Sequence, residues 1–312
     1  MLEHVDNNPP LTQKPASQKP ASLIPLQLPW YWRACRLLIL AYVGILLLLY
    51  FTQRKLIFPG AATQGQSKIT QTGDAELVGL NTAKGDKIVA LFGGALSREG
   101  MPLPDASKRP TLLFFYGNAM CLKDARQDFH NFRCLGLNVL IPEYVGYGMS
   151  SGLAGEAGCF ATAEAAYEYL LARPGIDPAK IVASGWSLGG AVAINLASKK
   201  PLAGLATFST FTGMAEAAHH SYPFIPTFVI SLILEHPFKS GDKMSRVGCP
   251  VLIGHSHGDH LIPFEMADHL ATLAKGPVTR ISIETPEHGE FFSEGGEPVY
   301  RGIAEFMKQF QP

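Results

Sequence analysis

Ser187 stands in Gly185-Trp186-Ser187-Leu188-Gly189, with Gly190 and Ala191 following. A serine hydroxyl attacks a carbonyl when a neighbouring base removes its proton, and the charge formed then needs N–H donors beside it. Alone, the spacing G-x-S-x-G is weak evidence, arising by chance in roughly one chain in ten. Its surroundings carry more. KIVAS reads as a strand leading in, and AVAINLASKK as a helix leading out, closed by Lys199, Lys200 and Pro201. Such a strand–turn–helix corner is a nucleophile elbow. The serine backbone there is strained, Gly185 and Gly189 remove side chains that would collide, and the helix N-terminus favours negative charge. The alternative is a tight turn holding an incidental serine.

An earlier strand ends in FFYGNAM, residues 114–120, where Gly117 lets the backbone turn close to a ligand. The Asn118 N–H is expected to join that of Leu188 around an oxyanion, with Ala119 as the neighbouring choice and an ordinary turn as the alternative. A serine nucleophile also needs a histidine base and an acid to orient it, in the chain order serine, acid, histidine at an elbow of this kind. His288, in ETPEHGEFF past the last strand-like run, is the candidate base. Asp259, in VLIGHSHGDHLIP (251–263), is the candidate acid. The pair His219-His220 precedes that acid and reads as surface.

His255, His257, Asp259 and His260 are spaced H-x-H-x-D-H, which resembles the zinc motif of the metallo-β-lactamase superfamily. That reading needs further ligands well downstream, where only His269 and His288 remain. It also lacks the glycines that follow such a motif, since Ile262 leads into Pro263-Phe264. It leaves the elbow and the FYGNA loop unexplained. No metal and no cofactor are expected.

These residues must be carried by strand ends. AELVGL and DKIVALFGG read as an opening antiparallel pair. TLLFFYG, NVLIPEY and KIVASGW are short apolar runs of the kind covered on both faces of a sheet, and LAGLATF, PVLIGH and TRISIET continue the series. Leu122, Ala125, Phe129, Phe132 and Leu135 fall at helical spacing before Gly136, and Phe160, Ala163, Tyr167 and Leu170 mark another helix. Alternating strands and helices imply a mostly parallel sheet, with its site at the strands' C-terminal ends.

The 312 residues carry 26 Lys+Arg against 26 Asp+Glu, with no dense basic block, so a nucleic-acid partner is not expected. Cys35, Cys121, Cys134, Cys159 and Cys249 are scattered and read as small buried hydrophobes. Residues 1–29, rich in Pro, Gln, Ser and Lys, read as a disordered tail. Residues 37–51 are uninterrupted and apolar, flanked by Trp30, Tyr31, Trp32, Arg33 and Arg36 before and by Arg54 and Lys55 after. A single-pass transmembrane anchor over 30–55 is expected. A cleaved signal peptide and a buried core helix are the alternatives, and the charges do not say which side of the membrane the rest occupies. Residues 56–312 form the expected catalytic domain, with a cap-like insertion at about 211–248. Within that insertion 222–234 is almost wholly apolar and too short to span, so it is core packing, an acyl-chain pocket or a membrane-dipping cap.

Taken together, FYGNA, EYVGYGMS (143–150), GWSLGG, HSHGDHLIP and EHGEFF resemble the motifs of the α/β-hydrolase superfamily. They are closest to small membrane-anchored serine hydrolases that include lysophospholipases and depalmitoylases. The resemblance runs from about Leu56 to the C-terminus. It departs from the family pattern at Tyr116 (usually His), Glu143 (Asp), Val145 (Arg) and Ser256 (Gly), and Tyr116 puts the pocket shape beside the oxyanion loop in question. It implies an α/β-hydrolase fold and a Ser187-Asp259-His288 triad cleaving carboxylic esters or thioesters through an acyl-enzyme. The substrate would be a small-molecule or lipid acyl compound, or an acylated protein. A peptidase or amidase using the same residues, and a non-catalytic membrane scaffold, are the competing readings.

Overall fold

The computed structural model describes residues 29–69, 73–293 and 296–311, so the tail expected over 1–29 lies, apart from Pro29, outside the described residues. Trp30–Ile57 is a single helix, α1, of 28 residues, about 42 Å at ~1.5 Å per residue. The chain divides into two compact units, Met1–Ile45 and Leu46–Pro312, and the division falls inside α1. In the first unit, Leu37, Leu38, Ile39 and Leu40 are exposed, and Trp30, Tyr31 and Trp32 touch one another ring to ring. By length and composition α1 can cross a membrane.

The second unit takes in residues 46–55 of α1, ahead of the boundary expected at Leu56. Leu46 and Leu49 pack on Ala215, Ile225 and Ile230. Beyond α1 come β1 (Glu76–Asn81), β2 (Lys87–Gly93), β3 (Thr111–Phe115), α2 (Arg126–Cys134), β4 (Asn138–Pro142), α3 (Glu156–Ala172), β5 (Ile181–Trp186), α4 (Leu188–Ala197) and β6 (Gly204–Phe208). The chain continues through α5 (Met214–Ser221), α6 (Thr227–Ile233), α7 (Ser240–Met244), β7 (Val251–Ser256), α8 (Phe264–Leu273), β8 (Val278–Ile283) and α9 (Gly296–Met307).

Among the described residues the strands form one sheet, in the order β1-β2-β4-β3-β5-β6-β7-β8. β1 and β2 are antiparallel, β2 joins β4 antiparallel, and every pairing from β4 to β8 is parallel. The mostly parallel sheet read from the apolar runs is therefore observed. β3, β4, β5, β6 and β7 are buried almost throughout because helices cover both faces, while the edge strand β8 alternates. Three short helices, α5 to α7, lie between β6 and β7, where the insertion over 211–248 is expected.

One helix begins later than its apolar spacing implies. Leu122 and Ala125 are buried but precede α2. The Cys121 N–H donates to Asp124 Oδ2 (2.9 Å) and the Leu122 N–H to Glu143 Oε1 (2.6 Å), and residues 122–125 form turns ahead of the helix. Gly136, at φ +79°, stops the chain as expected. Of the cysteines, Cys121 and Cys159 are buried, Cys134 and Cys249 half-buried, and Cys35 exposed on α1.

Candidate active site

Ser187 lies between β5 and α4 with φ +54° and ψ −120°, a conformation a side chain rarely adopts. Its neighbours make the corner possible. A Cβ on Gly185 would lie 2.1 Å from the Gly189 carbonyl oxygen, and one on Gly189 would lie 1.9 Å from that of Phe115. The Ser187 N–H donates to the Phe208 carbonyl (2.9 Å), and the Thr210 hydroxyl donates to the Ser187 carbonyl (2.8 Å). The end of one parallel neighbour, β6, thus holds the strained turn in place.

The loops after β7 and β8 bring the other two candidates to this serine. His288 Nε2 is 2.8 Å from Ser187 Oγ, and His288 Nδ1 is 2.7 Å from Asp259 Oδ2. An Nδ1–H donating to the carboxylate leaves Nε2 as the acceptor for the serine hydroxyl. The Trp186 ring lies against the imidazole, centroids 5.5 Å apart and 28° from parallel. Asp259 is buried, and burial alone would raise its pKa. Hydrogen bonds from His255 and His288 and from the Ile262 N–H outweigh that and hold the carboxyl well below the ordinary range. Its other oxygen accepts the N–H groups of Leu261 (3.0 Å) and Ile262 (2.8 Å). Asp259 is an anion fixed on both oxygens.

Leu188 opens α4, so its N–H has no carbonyl one turn earlier. The Asn118 carbonyl accepts from the Gly60 N–H and the Tyr147 hydroxyl, both 3.0 Å, and its side-chain amide donates to the Ile57 carbonyl (3.1 Å). Among the described residues no protein group accepts the Asn118 N–H. Asn118, Ser187 and Leu188 share one cavity of about 290 Å³.

Two of the family departures turn out to be partners. Tyr116 is buried and its hydroxyl donates to Glu143 Oε1 (2.8 Å). The same carboxylate accepts the Leu122 and Met149 N–H groups (2.6 and 3.1 Å), while burial pushes its pKa up. The pocket shape in question at Tyr116 is thus decided by a ring turned into the core, away from the cavity.

The H-x-H-x-D-H residues disperse. His255 Nε2 donates to the Ile262 carbonyl (2.9 Å) and passes 3.4 Å from Asp259 Oδ2. His257 stacks on Phe264 and meets the Ser282 hydroxyl (2.8 Å), and the His260 side chain is 82% exposed. Among the described residues no three His, Cys, Asp or Glu side chains converge as metal ligands would. His219 and His220 lie on α5, bonded to the Ile225 and His260 carbonyls and away from Ser187.

The cavity holds residues of α1 that motif reading did not single out, beside residues of the 222–234 run for which an acyl-chain pocket was one of the readings. Leu49, Gln53, Leu56 and Ile57 of α1 line it, as do Tyr222, Ile225, Ile230 and Ile233 of the insertion. A signal existed for one of them. Gln53 is an uncharged polar residue at the end of an apolar helix, and it is buried.

Comparison with known proteins bears on the family and the fold. The dienelactone hydrolase family profile matches residues 154–292. The bem46 protein of Schizosaccharomyces pombe is 32% identical over 224 residues, covering 69% of this chain and 72% of its own. The human α/β hydrolase domain-containing protein 17B is 28% identical, covering 73% and 72%. The solved structure of the esterase Pf2001 of Pyrococcus furiosus superposes with a TM-score of 0.63 at 15% identity, over 78% of this chain and 96% of that one.

Proposed function

The chain belongs to the α/β-hydrolase superfamily and is an esterase-like hydrolase, and on that premise we propose that it is a membrane-anchored serine hydrolase cleaving acyl esters or thioesters. The observation that carries this reading is the unbroken hydrogen-bonded series from Asp259 through His288 to Ser187, opening into an apolar cavity.

Ser187 Oγ attacks the acyl carbonyl while His288 Nε2 takes its proton. The buried Asp259 carboxylate holds the Nδ1–H and stabilises the imidazolium. The Leu188 and Asn118 N–H groups receive the oxyanion, and the α4 N-terminus adds a favourable dipole. His288 then returns the proton to the departing oxygen or sulfur, leaving Ser187 acylated. A water then attacks the acyl carbonyl and gives its proton to His288, which passes it to Ser187 Oγ as the Oγ–acyl bond breaks and the carboxylic acid leaves. No step draws on a metal or cofactor. In this reading 30–55 anchors the protein in a membrane, 56–312 is the hydrolase domain, and 211–248 is a cap over the acyl chain. The substrate is a lipid or other small acyl compound, or an acylated protein.

The test is intact mass after fluorophosphonate treatment of wild type and Ser187→Ala, with p-nitrophenyl ester turnover alongside. A single adduct on wild type alone, and a loss of turnover by about six orders of magnitude in the variant, are expected. Near-normal turnover by Ser187→Ala would sink the reading. Sedimentation of the full chain with carbonate-washed membranes tests the anchor.

A further inference from the structure

A helix that only tethers a protein has no reason to reach its active site. Here it does so in three ways. Leu49, Gln53, Leu56 and Ile57, from the last turns of α1, share the cavity with Ser187 and Leu188. Gln53 brackets the insertion, its side-chain amide donating to the Ile233 carbonyl (3.0 Å) and its amide oxygen accepting the Glu235 N–H (2.8 Å). At the end of the helix and just past it, Ile57 and Gly60 each bond Asn118 in the loop beside Ser187. That approach is close, since a Cβ on Gly60 would lie 2.3 Å from the Tyr147 ring.

The other side of the cavity is apolar too. Ile225 and Ile230 are buried against α1, whereas Phe228 and Leu232 on α6 are 68% and 81% exposed. Phe224 and, on α1, Leu47, Leu48 and Phe51 are exposed apolar residues of the second unit as well, and water does not favour them. The helix carrying three of these residues runs on into the stretch long and apolar enough to enter a bilayer.

We propose that residues 46–57 of the anchor helix form one wall of the acyl site, so that the enzyme takes a single-chain acyl substrate out of the bilayer that holds its anchor. This rests on the serine-hydrolase reading above. A cavity of about 290 Å³ lies at the lower end of ligand pockets, roughly 300 Å³, which suits a single acyl chain. The exposed face of α6 rests in the lipid headgroup region, where Phe and Leu are covered and the polar leaving group stays in water. The wall makes α1 a specificity element, and the bracket at Gln53 keeps wall and cap in register.

The experiment measures kcat/KM of the full-length protein for p-nitrophenyl acetate and laurate, first in detergent micelles and then with the laurate ester in phosphatidylcholine vesicles. Leu49→Trp fills the wall, and Leu56→Trp, at a half-exposed position, is the second variant should the first fail to fold. Either substitution is expected to lower the laurate-to-acetate ratio by roughly tenfold or more. Gln53→Leu is expected to lower it as well, by releasing the cap. A ratio within about twofold of wild type in folded, fluorophosphonate-labelled variants overturns the wall. Turnover of laurate in micelles but not in vesicles overturns the bilayer as the source. Wild type that turns over no ester, acetate included, overturns the serine-hydrolase reading itself. Turnover of acetate with unmoved ratios overturns only the proposal made here.

Discussion

Around Ser187 the polar atoms are held by directional bonds, whereas the cavity beside it is built almost wholly from packing. Asp259 accepts three hydrogen bonds of 2.7–3.0 Å, and the Ser187 backbone is tied on both sides. Across the cavity, Leu46, Leu49, Ile225 and Ile230 meet through side-chain contact, with Gln53 as the polar link. The contrast separates two jobs. Bond making needs atoms fixed to fractions of an ångström, which buried hydrogen bonds supply. Holding an acyl chain needs only matched apolar volume, and that is tuned in small steps.

The sharpest way to test this division is Asp259→Asn, which keeps the shape and loses the charge and tautomer control. Turnover should fall by about four orders of magnitude, equally for short and long acyl esters. A chain-length-dependent loss would break the comparison. The same substitution tests acid stability. The folded Asp259 pKa is depressed, so its contribution is present above the unfolded value of about 3.9 and disappears as pH falls towards the folded value. Acid unfolding below about pH 4 should therefore be shallower in Asp259→Asn than in wild type.

Ile230→Ala, in the packed region, is the counterpart. It should cost roughly 1–3 kcal/mol of transition-state stabilisation for long acyl esters and much less for acetate, read from kcat/KM across a chain-length series. A uniform loss would mean that α6 helps to position Ser187 itself.

A smaller effect comes from Asp128 on α2, which lines neither the Ser187 cavity nor the apolar packing across it. Burial raises its pKa to about 6, while its hydrogen bond from Tyr300 works against the rise. The folded state therefore binds the proton more tightly than the unfolded chain, and stability falls as pH climbs from about 4 to about 6. Asp128→Asn should gain about 1–2 kcal/mol at pH 7 and nothing at pH 4, by urea unfolding. Activity should stay level, which would confine the site's energetics to the two regions compared. The least effect is expected from Leu232→Ser on the exposed face of α6. Stability should move by less than about 0.5 kcal/mol, while association with phosphatidylcholine vesicles weakens.

Much of the fold was legible because its signals are local. Short apolar runs such as TLLFF and VLIGH can be buried on both faces only as inner strands, and the structure has them as β3 and β7. The elbow was legible for the same reason, since a serine between two glycines at a strand–helix junction is a statement about five consecutive residues. The start of α2 was not, because Leu122 and Ala125 are buried from a turn, with the Leu122 N–H held by Glu143 21 residues away, and buried turn residues can share helical spacing. The part played by Gln53 was not legible either, for its partners Ile233 and Glu235 lie 180 and 182 residues on. Tyr116 and Glu143 looked like two separate departures until the fold showed them bonded to one another.

By itself the sequence determined the strands, the apolar N-terminal helix and the tight corner at Ser187, since backbone dihedrals and side-chain periodicity depend on near neighbours. Only the tertiary structure decided which histidine stands at Ser187, 101 residues away, and which of the clustered His and Asp side chains faces it. It alone decided that the last turns of α1 line the cavity. Those contacts follow from the order of strands in the sheet and the path of the insertion, and no short stretch of chain encodes either.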